Sequence, residues 1–160
     1  MSQPAAFGRH DHGACVRDAL ASAEAICAER GAQLTPIRRR ALEILLEGHA
    51  AMGAYDVLAR LGAEGLGSQP PVAYRALNFL VEQGLAHRIE GLSAFVACAR
   101  PGVPHAPSFL VCRRCRTVAE SPEGAPSSPL GPEALAQGFA IERTVMEAEG
   151  LCPACQEASP

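Results

Sequence analysis

Two short stretches decide how the chain folds: Cys112-Arg113-Arg114-Cys115 and Cys152-Pro153-Ala154-Cys155. Each CxxC turn presents two thiolates side by side, and two such turns together close the tetrahedral four-cysteine shell of a structural zinc site. Two disulfides or four separate buried thiols would use the same residues, but nothing else in the sequence indicates an oxidising compartment. We therefore expect a structural zinc ion in the second half of the chain. Its ligands are Cys112, Cys115, Cys152 and Cys155.

Composition sets limits on size and partners. The 160 residues suffice for one domain or two small ones, and the 48% of hydrophobic residues can supply a core. The net charge of −3 argues against a nonspecific polyanion binder. Residues 1–100 carry ten arginines and ten acidic residues, whereas residues 101–160 carry four and seven. Because acidic surfaces repel DNA, any nucleic-acid contact is expected in the first half.

The N-terminal end has no apolar run typical of a signal peptide, and no stretch approaches the roughly 20 apolar residues of a membrane span. We therefore expect a soluble cytoplasmic protein with reduced cysteines and no membrane partner. Residues 1–13 are small and polar, which predicts a disordered tail. His10 and His12, with Cys15, could bind a metal, although adventitious binding at a flexible end is the simpler interpretation.

Apolar spacing after the tail predicts four small helices. The second begins at Thr35-Pro36, where threonine caps the free N–H groups and proline fits the first helical position. In the third, Tyr55, Leu58 and Leu61 are spaced as a buried edge. The helices are expected at 15–30, from 35 onward, at 54–61 and at 70–83, with hairpin strands at 85–90 and 93–97. Helices followed by a hairpin predict a winged-helix domain over residues 14–99.

Two groups of polar residues in this domain are suited to DNA. Arg38, Arg39 and Arg40 lie in or beside the first turn of the second helix, where the helix dipole disfavours cations. They form either a solvated charged face or contacts to phosphates, and we expect Arg38 to contact the DNA backbone. On the outer face of the fourth helix, Arg75 and Asn78 are side chains suited to guanine and adenine in the major groove.

The second half begins with a hinge, since residues 100–107 contain three prolines and a glycine. Strands are expected at 108–111 and 117–119, a loop at 121–132, a short helix at 133–137 and a less regular strand at 139–149. About 55 residues cannot bury a large core alone, so residues 108–160 are expected to need the zinc ion and a partner chain. The predicted fold class is α+β: an N-terminal winged-helix DNA-binding domain plus a small C-terminal α/β dimerisation domain stapled by the four-cysteine zinc.

A second candidate metal site combines residues from three segments. His87 lies in the first hairpin strand, Cys98 ends the hairpin, His105 lies in the hinge and Glu120 follows the first CxxC. One thiolate, two imidazoles and one carboxylate complete a tetrahedral shell, and the thiolate favours zinc over iron(II) or manganese. Each residue alone is more often structural. The histidine after the second helix, His49, is interpreted as structural because a cation there favours the helix dipole.

Five motifs occur in order along the chain. They are Leu34-Thr35-Pro36 followed by Arg38, Ala54-Tyr55-Asp56, Pro71-Val72-Ala73-Tyr74-Arg75-Ala76-Leu77, Phe109-Leu110-Val111-Cys112-x-x-Cys115 and Gly150-Leu151-Cys152-x-x-Cys155. This combination resembles the ferric uptake regulator family, and most of all its zinc uptake regulator branch, over roughly residues 20–156. The resemblance implies a homodimeric bacterial repressor of zinc-uptake genes that binds a palindromic double-stranded DNA operator, with zinc as corepressor and no small-molecule substrate.

The resemblance also implies roles for individual residues. Tyr74 and Arg75 match the recognition-helix pair that faces DNA, and Tyr55 matches a further DNA-facing tyrosine. Val72 departs from the family, which usually has threonine there, so the chain lacks the hydroxyl that the resemblance would lead us to expect near a phosphate. The histidine-rich run of the iron branch is absent before the first CxxC. The four cysteines of the CxxC pairs match structural zinc ligands, and a second set matches the zinc-sensing site, which implies two zinc ions per chain. That second set is His87, Cys98, His105 and Glu120.

These residues favour a mechanism in which zinc closes the dimer for operator binding, since the sensing ligands span wing, hinge and second domain. Two alternatives stay open. The chain could be a family sensor of iron, manganese or peroxide, or a zinc-ribbon module that binds no DNA. A thiol–disulfide oxidoreductase would need a βαβ context around a CxxC, which the sequence lacks. We therefore expect no enzyme.

Overall fold

The computed structural model describes residues 6–121 and 129–158. These residues divide into two units, one spanning Arg9–Val103 and the other combining residues 6–8 with the residues from Pro104 onward. The helices are α1 (His12–Arg30), α2 (Pro36–Leu46), α3 (Ala54–Ala63), α4 (Pro70–Glu82), α5 (Gly131–Ala136) and α6 (Pro153–Glu157). The strands are β1 (Ala86–Ile89), β2 (Ala94–Ala97), β3 (Ser108–Cys112), β4 (Val118–Glu120) and β5 (Met146–Gly150).

The N-terminal unit is built on a core shared by its four helices and the β1–β2 hairpin. Leu45 of α2, Leu61 of α3 and Leu77 of α4 are fully buried in one apolar cluster, which Phe95 of β2 also joins. Backbone hydrogen bonds between Met52 and Phe95 tie the segment before α3 to the hairpin. Helices followed by a two-stranded hairpin are the winged-helix arrangement, and the predicted α+β class is confirmed.

Helix α1 begins three residues before the predicted start at 15, inside the stretch that the sequence assigned to a disordered tail. The carboxylate of Asp11 accepts a hydrogen bond from the N–H of Ala14 at 3.0 Å and so caps the helix. A cap of this kind offsets one unsatisfied donor of the first turn. Residues 1–5 of the predicted tail lie outside the described residues. Gly31 ends the helix with φ of 63°, a conformation that glycine adopts without strain.

The predictions for α2 and α4 are confirmed, whereas one for α3 is wrong. Thr35 caps α2 and Pro36 opens it. In α3 the buried residues are Ala54, Val57 and Leu61, and Tyr55 is 67% exposed. In a helix of ten residues, apolar spacing is compatible with two neighbouring faces whose positions are offset by one residue. The pattern alone therefore does not decide which of the two faces is buried.

The hairpin strands pair antiparallel, with His87 opposite Val96 and Arg88 opposite Phe95. The connection is a single 3-10 turn, Glu90–Leu92, followed by Ser93 at φ of 47°. This confirms the two strands that the sequence predicted around Gly91.

The C-terminal unit contains a three-stranded sheet in the order β4-β3-β5. Strand β3 lies in the centre, antiparallel to β4 and parallel to β5. Phe109 and Val111 of β3 and Val118 of β4 are its large buried side chains among the described residues. This is a small core, as the length of the segment predicts.

Two predictions for this unit are corrected. The strand expected at 139–149 is confined to β5, and Phe139 before it is 68% exposed. Its alternating pattern therefore does not reflect a buried sheet face. Helix α5 starts at Gly131, where the sequence predicted a loop to 132; residues 122–128 of that loop lie outside the described residues. Within the described ranges, no helix combines the length and the apolar character that crossing a membrane requires.

Candidate metal centres and nucleic-acid interface

The four cysteines of the two CxxC pairs come together in the C-terminal unit. Cys112 is the last residue of β3, Cys115 follows in the turn to β4, and Cys152 and Cys155 lie at the start of and within α6. All four are free thiols, and their sulfur atoms lie within 4.8 Å of one another. The Sγ atoms of Cys115 and Cys152 are 3.7 Å apart. Zinc–sulfur bonds of about 2.3 Å give tetrahedral edges of about 3.8 Å, so the residues fit a zinc ion.

The electrostatics of this cluster favour a cation once the thiols are ionised. The backbone N–H groups of Cys115 and Cys152 stabilise the thiolate of Cys112 and lower the pKa of that thiol to about 6. The side-chain hydrogen bond with Cys152, with burial, raises the pKa of Cys155 to about 12. One thiolate therefore forms easily, but four cannot coexist at neutral pH unless a positive charge neutralises them.

The surroundings of the cluster include contacts that the sequence did not predict. Phe7, from the segment assigned to the tail, packs on the buried cysteines together with Leu151. The guanidinium of Arg114 donates to the carbonyl of Cys155 at 2.9 Å and so ties the first CxxC to α6. Neither contact has a local sequence signal, since each joins segments far apart in the chain.

The residues of the second predicted zinc set belong to the two units, two to each. In the C-terminal unit, His105 pairs with Glu120, the last residue of β4, and their side chains are only 10% and 5% exposed. In the N-terminal unit, the N–H of Cys98 donates to the carbonyl of Leu85 at 2.9 Å, which continues the hairpin ladder. His87 and Cys98 are therefore diagonal neighbours on one face of the hairpin.

A third group of potential ligands lies within the N-terminal unit: His10, His12 and His49. The sequence placed the first two with Cys15, but the group found in the structure contains His49 instead. His49 was interpreted as a structural residue at the end of α2. Burial lowers the pKa of His49, and the neighbouring His10 and His12 lower it further.

The outer face of α4 presents the side chains that the sequence assigned to DNA. Tyr74, Arg75 and Asn78 are exposed, with Tyr74 at 41%. The ring of Tyr74 meets that of Tyr55 edge-on, with centroids 6.5 Å apart. Tyr55 on α3 and the outer face of α4 therefore form one continuous surface of the N-terminal unit.

The three arginines at the start of α2 differ in their contacts. Arg39 pairs with Glu24 and Glu43. Arg40 donates two hydrogen bonds of 2.7 Å to the carboxylate of Glu64. The positive charges of Arg39 and Arg40 therefore have carboxylate partners within the protein, and neither arginine needs a DNA phosphate to pair with. The guanidinium of Arg38 lies 3.8 Å from the ring centroid of Phe79, which is a cation–π contact.

Comparison with known proteins places the chain in a family. No protein-family model matches it. However, it is 38% identical over 142 residues to the zinc uptake regulation protein of Escherichia coli strain K12, covering 88% of this chain and 83% of that protein. The chain belongs to the zinc uptake regulator family. The zinc uptake regulation protein of Shigella flexneri matches with the same identity and coverage.

Solved structures of zinc uptake regulators share the fold. A zinc uptake regulator complexed with zinc and DNA matches with a TM-score of 0.81 and 39% identity, covering 89% of this chain and 95% of that one. The crystal structure of holo XcZur matches with a TM-score of 0.75 and 35% identity, covering 87% and 97%. The family resemblance drawn from the five motifs is thus confirmed. The alternatives of an iron, manganese or peroxide sensor are not favoured.

Proposed function

We propose that this chain is a zinc-responsive transcriptional repressor of zinc-uptake genes, in which zinc is the corepressor. The observation that carries the proposal is the division of one ligand set between the two units. His87 and Cys98 lie on the hairpin of the N-terminal unit, and His105 and Glu120 pair in the C-terminal unit. Two ligands are too few for a stable zinc site, whereas all four complete a tetrahedral shell.

The regulatory ion acts by linkage. Because its ligands belong to both units, zinc binds the closed arrangement of the units better than the open one and shifts the population towards it. A coupling of this kind is worth about 1–3 kcal/mol, or roughly 5- to 150-fold in operator affinity. The thiolate of Cys98 selects zinc over iron(II) and manganese, which prefer nitrogen and oxygen ligands.

The DNA-binding surface is the winged-helix domain, residues 14–99. Helix α4 enters the major groove, where Arg75 and Asn78 reach base edges, while Tyr74, Tyr55 and Arg38 contact the backbone or flank the groove. The exposure of Tyr74, Arg75 and Asn78 supports this assignment, because side chains that do not pack in the core are available to contact DNA. Val72 at the start of α4 supplies no hydroxyl for a phosphate contact.

The C-terminal unit, residues 108–160 beyond the hinge at 100–107, forms the homodimer. Five large apolar side chains are exposed among the described residues of this unit: Leu110, Leu130, Leu135, Phe139 and Ile141. Exposed apolar groups of this density are typical of an interaction surface. A homodimer presents two α4 helices to a palindromic operator, with half-sites on successive turns of the DNA.

The four-cysteine cluster holds the second zinc ion of each chain and is structural. A closed shell of four thiolates leaves no open coordination position, so it has no place for a substrate or a signal. Cys112, Cys115, Cys152 and Cys155 thus maintain the dimerisation unit in a cytoplasmic, reducing environment.

The test is the zinc response of operator binding. An operator fragment is first selected from a random-sequence DNA library with the zinc-loaded protein, and its affinity is then measured at buffered free zinc by fluorescence anisotropy. We expect zinc to raise the affinity of the wild type and of Cys15→Ser, the matched control, and to have little effect on Cys98→Ser. A full zinc response in Cys98→Ser would refute the assignment of the regulatory site.

A further inference from the structure

Three histidines of the N-terminal unit converge without belonging to either zinc set described above. His10 precedes the capping residue of α1, His12 is the first residue of that helix, and His49 follows α2. The Nε2 atom of His10 lies 3.4 Å from Nδ1 of His12 and 3.2 Å from Nε2 of His49. One ligand nitrogen from each ring lies within 4.8 Å of the other two.

These separations match the edges of a metal coordination shell. Zinc–nitrogen bonds of about 2.0–2.1 Å give tetrahedral edges of about 3.3–3.4 Å. The two N···N distances at His10 bracket that value. Imidazole nitrogen is a ligand that suits zinc, copper, iron and nickel.

Hydrogen bonding between the rings explains the cluster less well. Nε2 of His10 faces two other ring nitrogens, but a neutral ring nitrogen has either one proton to donate or one lone pair to accept. Only one of the two contacts can therefore be a good hydrogen bond. The other nitrogen of the His12 ring, Nε2, is buried with no hydrogen-bond partner among the described residues, so hydrogen bonding does not account for the position of this ring.

The helix ends around the cluster do not oppose a cation. The N-terminus of α1 alone would repel one, but the carboxylate of Asp11 already caps it. His49 lies beyond the C-terminus of α2, where the free carbonyl groups favour positive charge.

We propose that His10, His12 and His49 form a third zinc site, with water as the fourth ligand. The ion links the segment before α1 to the α2–α3 connection, which also contains Met52, the residue hydrogen-bonded to Phe95 of the hairpin. Three neutral imidazoles hold zinc less tightly than a set with thiolates, because they contribute no negative charge. The site therefore fills at higher zinc concentration than the structural and regulatory sites, and it lies in the DNA-binding unit itself.

The experiment is a cobalt titration of the full-length chain without an affinity tag. Protein loaded with zinc is stripped of excess metal by a mild chelator and then titrated with Co2+. Cobalt bound to cysteine gives intense thiolate charge-transfer bands, whereas cobalt at a three-histidine site gives only the weak visible bands. We expect one equivalent of the second kind per chain in the wild type.

Substitutions assign that equivalent to the cluster. His10→Gln and His49→Gln should each lose it, while Arg9→Gln and Cys15→Ser, the controls on neighbouring positions, should retain it. His10 is exposed, so His10→Gln tests the ligand without disturbing the core. The proposal is overturned if the wild type binds no such equivalent or if both histidine variants retain it. Each of these results leaves the zinc response of operator binding, and thus the repressor function, unaffected.

Discussion

Cys112→Ser removes one thiolate of the four-cysteine cluster, and we expect it to unfold the C-terminal unit while the N-terminal unit stays folded. The two units differ in how much core they possess. The N-terminal unit buries leucines from α2, α3 and α4 in one cluster. The C-terminal unit has only Phe109, Val111 and Val118 as large buried side chains outside its cysteines, among the residues described.

The magnitudes decide the outcome. Full burial of a large apolar side chain contributes about 1.5–3 kcal/mol, so three contribute roughly 5–9 kcal/mol. Structural zinc contributes about 10–16 kcal/mol in small zinc domains at neutral pH. Loss of the zinc ion therefore removes more stabilisation than the apolar core supplies, and the entropy of ordering the chain is no longer offset.

Hydrogen exchange followed by mass spectrometry separates the two units. In Cys112→Ser, peptides covering β3 and β5 should lose protection, whereas peptides covering α2 and α4 should keep it. Sedimentation should show loss of the dimer in the same sample. Cys15→Ser, which also removes a thiol but lies outside the cluster, should behave as the wild type. The reasoning is refuted if Cys112→Ser keeps β3 protected and the dimer intact.

Three further outcomes follow from the contacts described above. Arg75→Ala should weaken operator binding by about 1–3 kcal/mol without lowering the melting temperature, since Arg75 is exposed; anisotropy and calorimetry measure the two effects. Arg38→Gln should reduce the slope of log affinity against log salt concentration by about one. The control Arg40→Gln loses the ion pair with Glu64 but should leave that slope unchanged. An equal reduction of the slope in both variants would contradict the assignment of Arg38 to a phosphate. The hydrogen bond from Arg60 lowers the pKa of Glu47 below its ordinary value of 4.5. The stabilisation that this pair contributes is therefore fully present above pH 4.5, and it is lost as the pH falls through the lowered pKa. Acid unfolding of Arg60→Gln should therefore be less steep in that range, and an unchanged acid transition would show that the pair is screened.

The sequence predicted those features whose signals are local. Thr35-Pro36 indicates a helix start wherever it occurs, because the capping hydroxyl and the fixed proline φ act within one turn. The two CxxC pairs predicted their cluster for a similar reason, since two turns that each hold two thiolates have few other uses in a reducing compartment. The exposed outer face of α4 followed from helical periodicity alone.

Some features could not be predicted from the sequence because they depend on contacts between distant segments. Others could not because the local pattern fits two structures almost equally well. His49 meets His10 across 39 residues, and nothing near either histidine indicates the other. Phe7 belongs to a polar tail by composition, and only the cysteine cluster gives it an apolar surface to contact. Tyr55 is exposed although its spacing predicts a buried edge, because a ten-residue helix offers two nearly equivalent apolar faces. Asp11 is a residue type suited to capping a helix, and its place before His12 indicates the observed start of α1.

In the proposed mechanism, one zinc ion, bound by His87, Cys98, His105 and Glu120, couples the two units to operator binding. Linkage requires the effect to be reciprocal: the factor by which zinc raises operator affinity must equal the factor by which the operator raises zinc affinity. The direct measurement is the regulatory zinc affinity, from competition with a chromophoric chelator, in the presence and absence of saturating operator DNA. We predict that the operator tightens zinc binding by the same factor that anisotropy gives for zinc on DNA, and that Cys98→Ser abolishes both. A zinc affinity that does not change when the operator is bound would contradict the account.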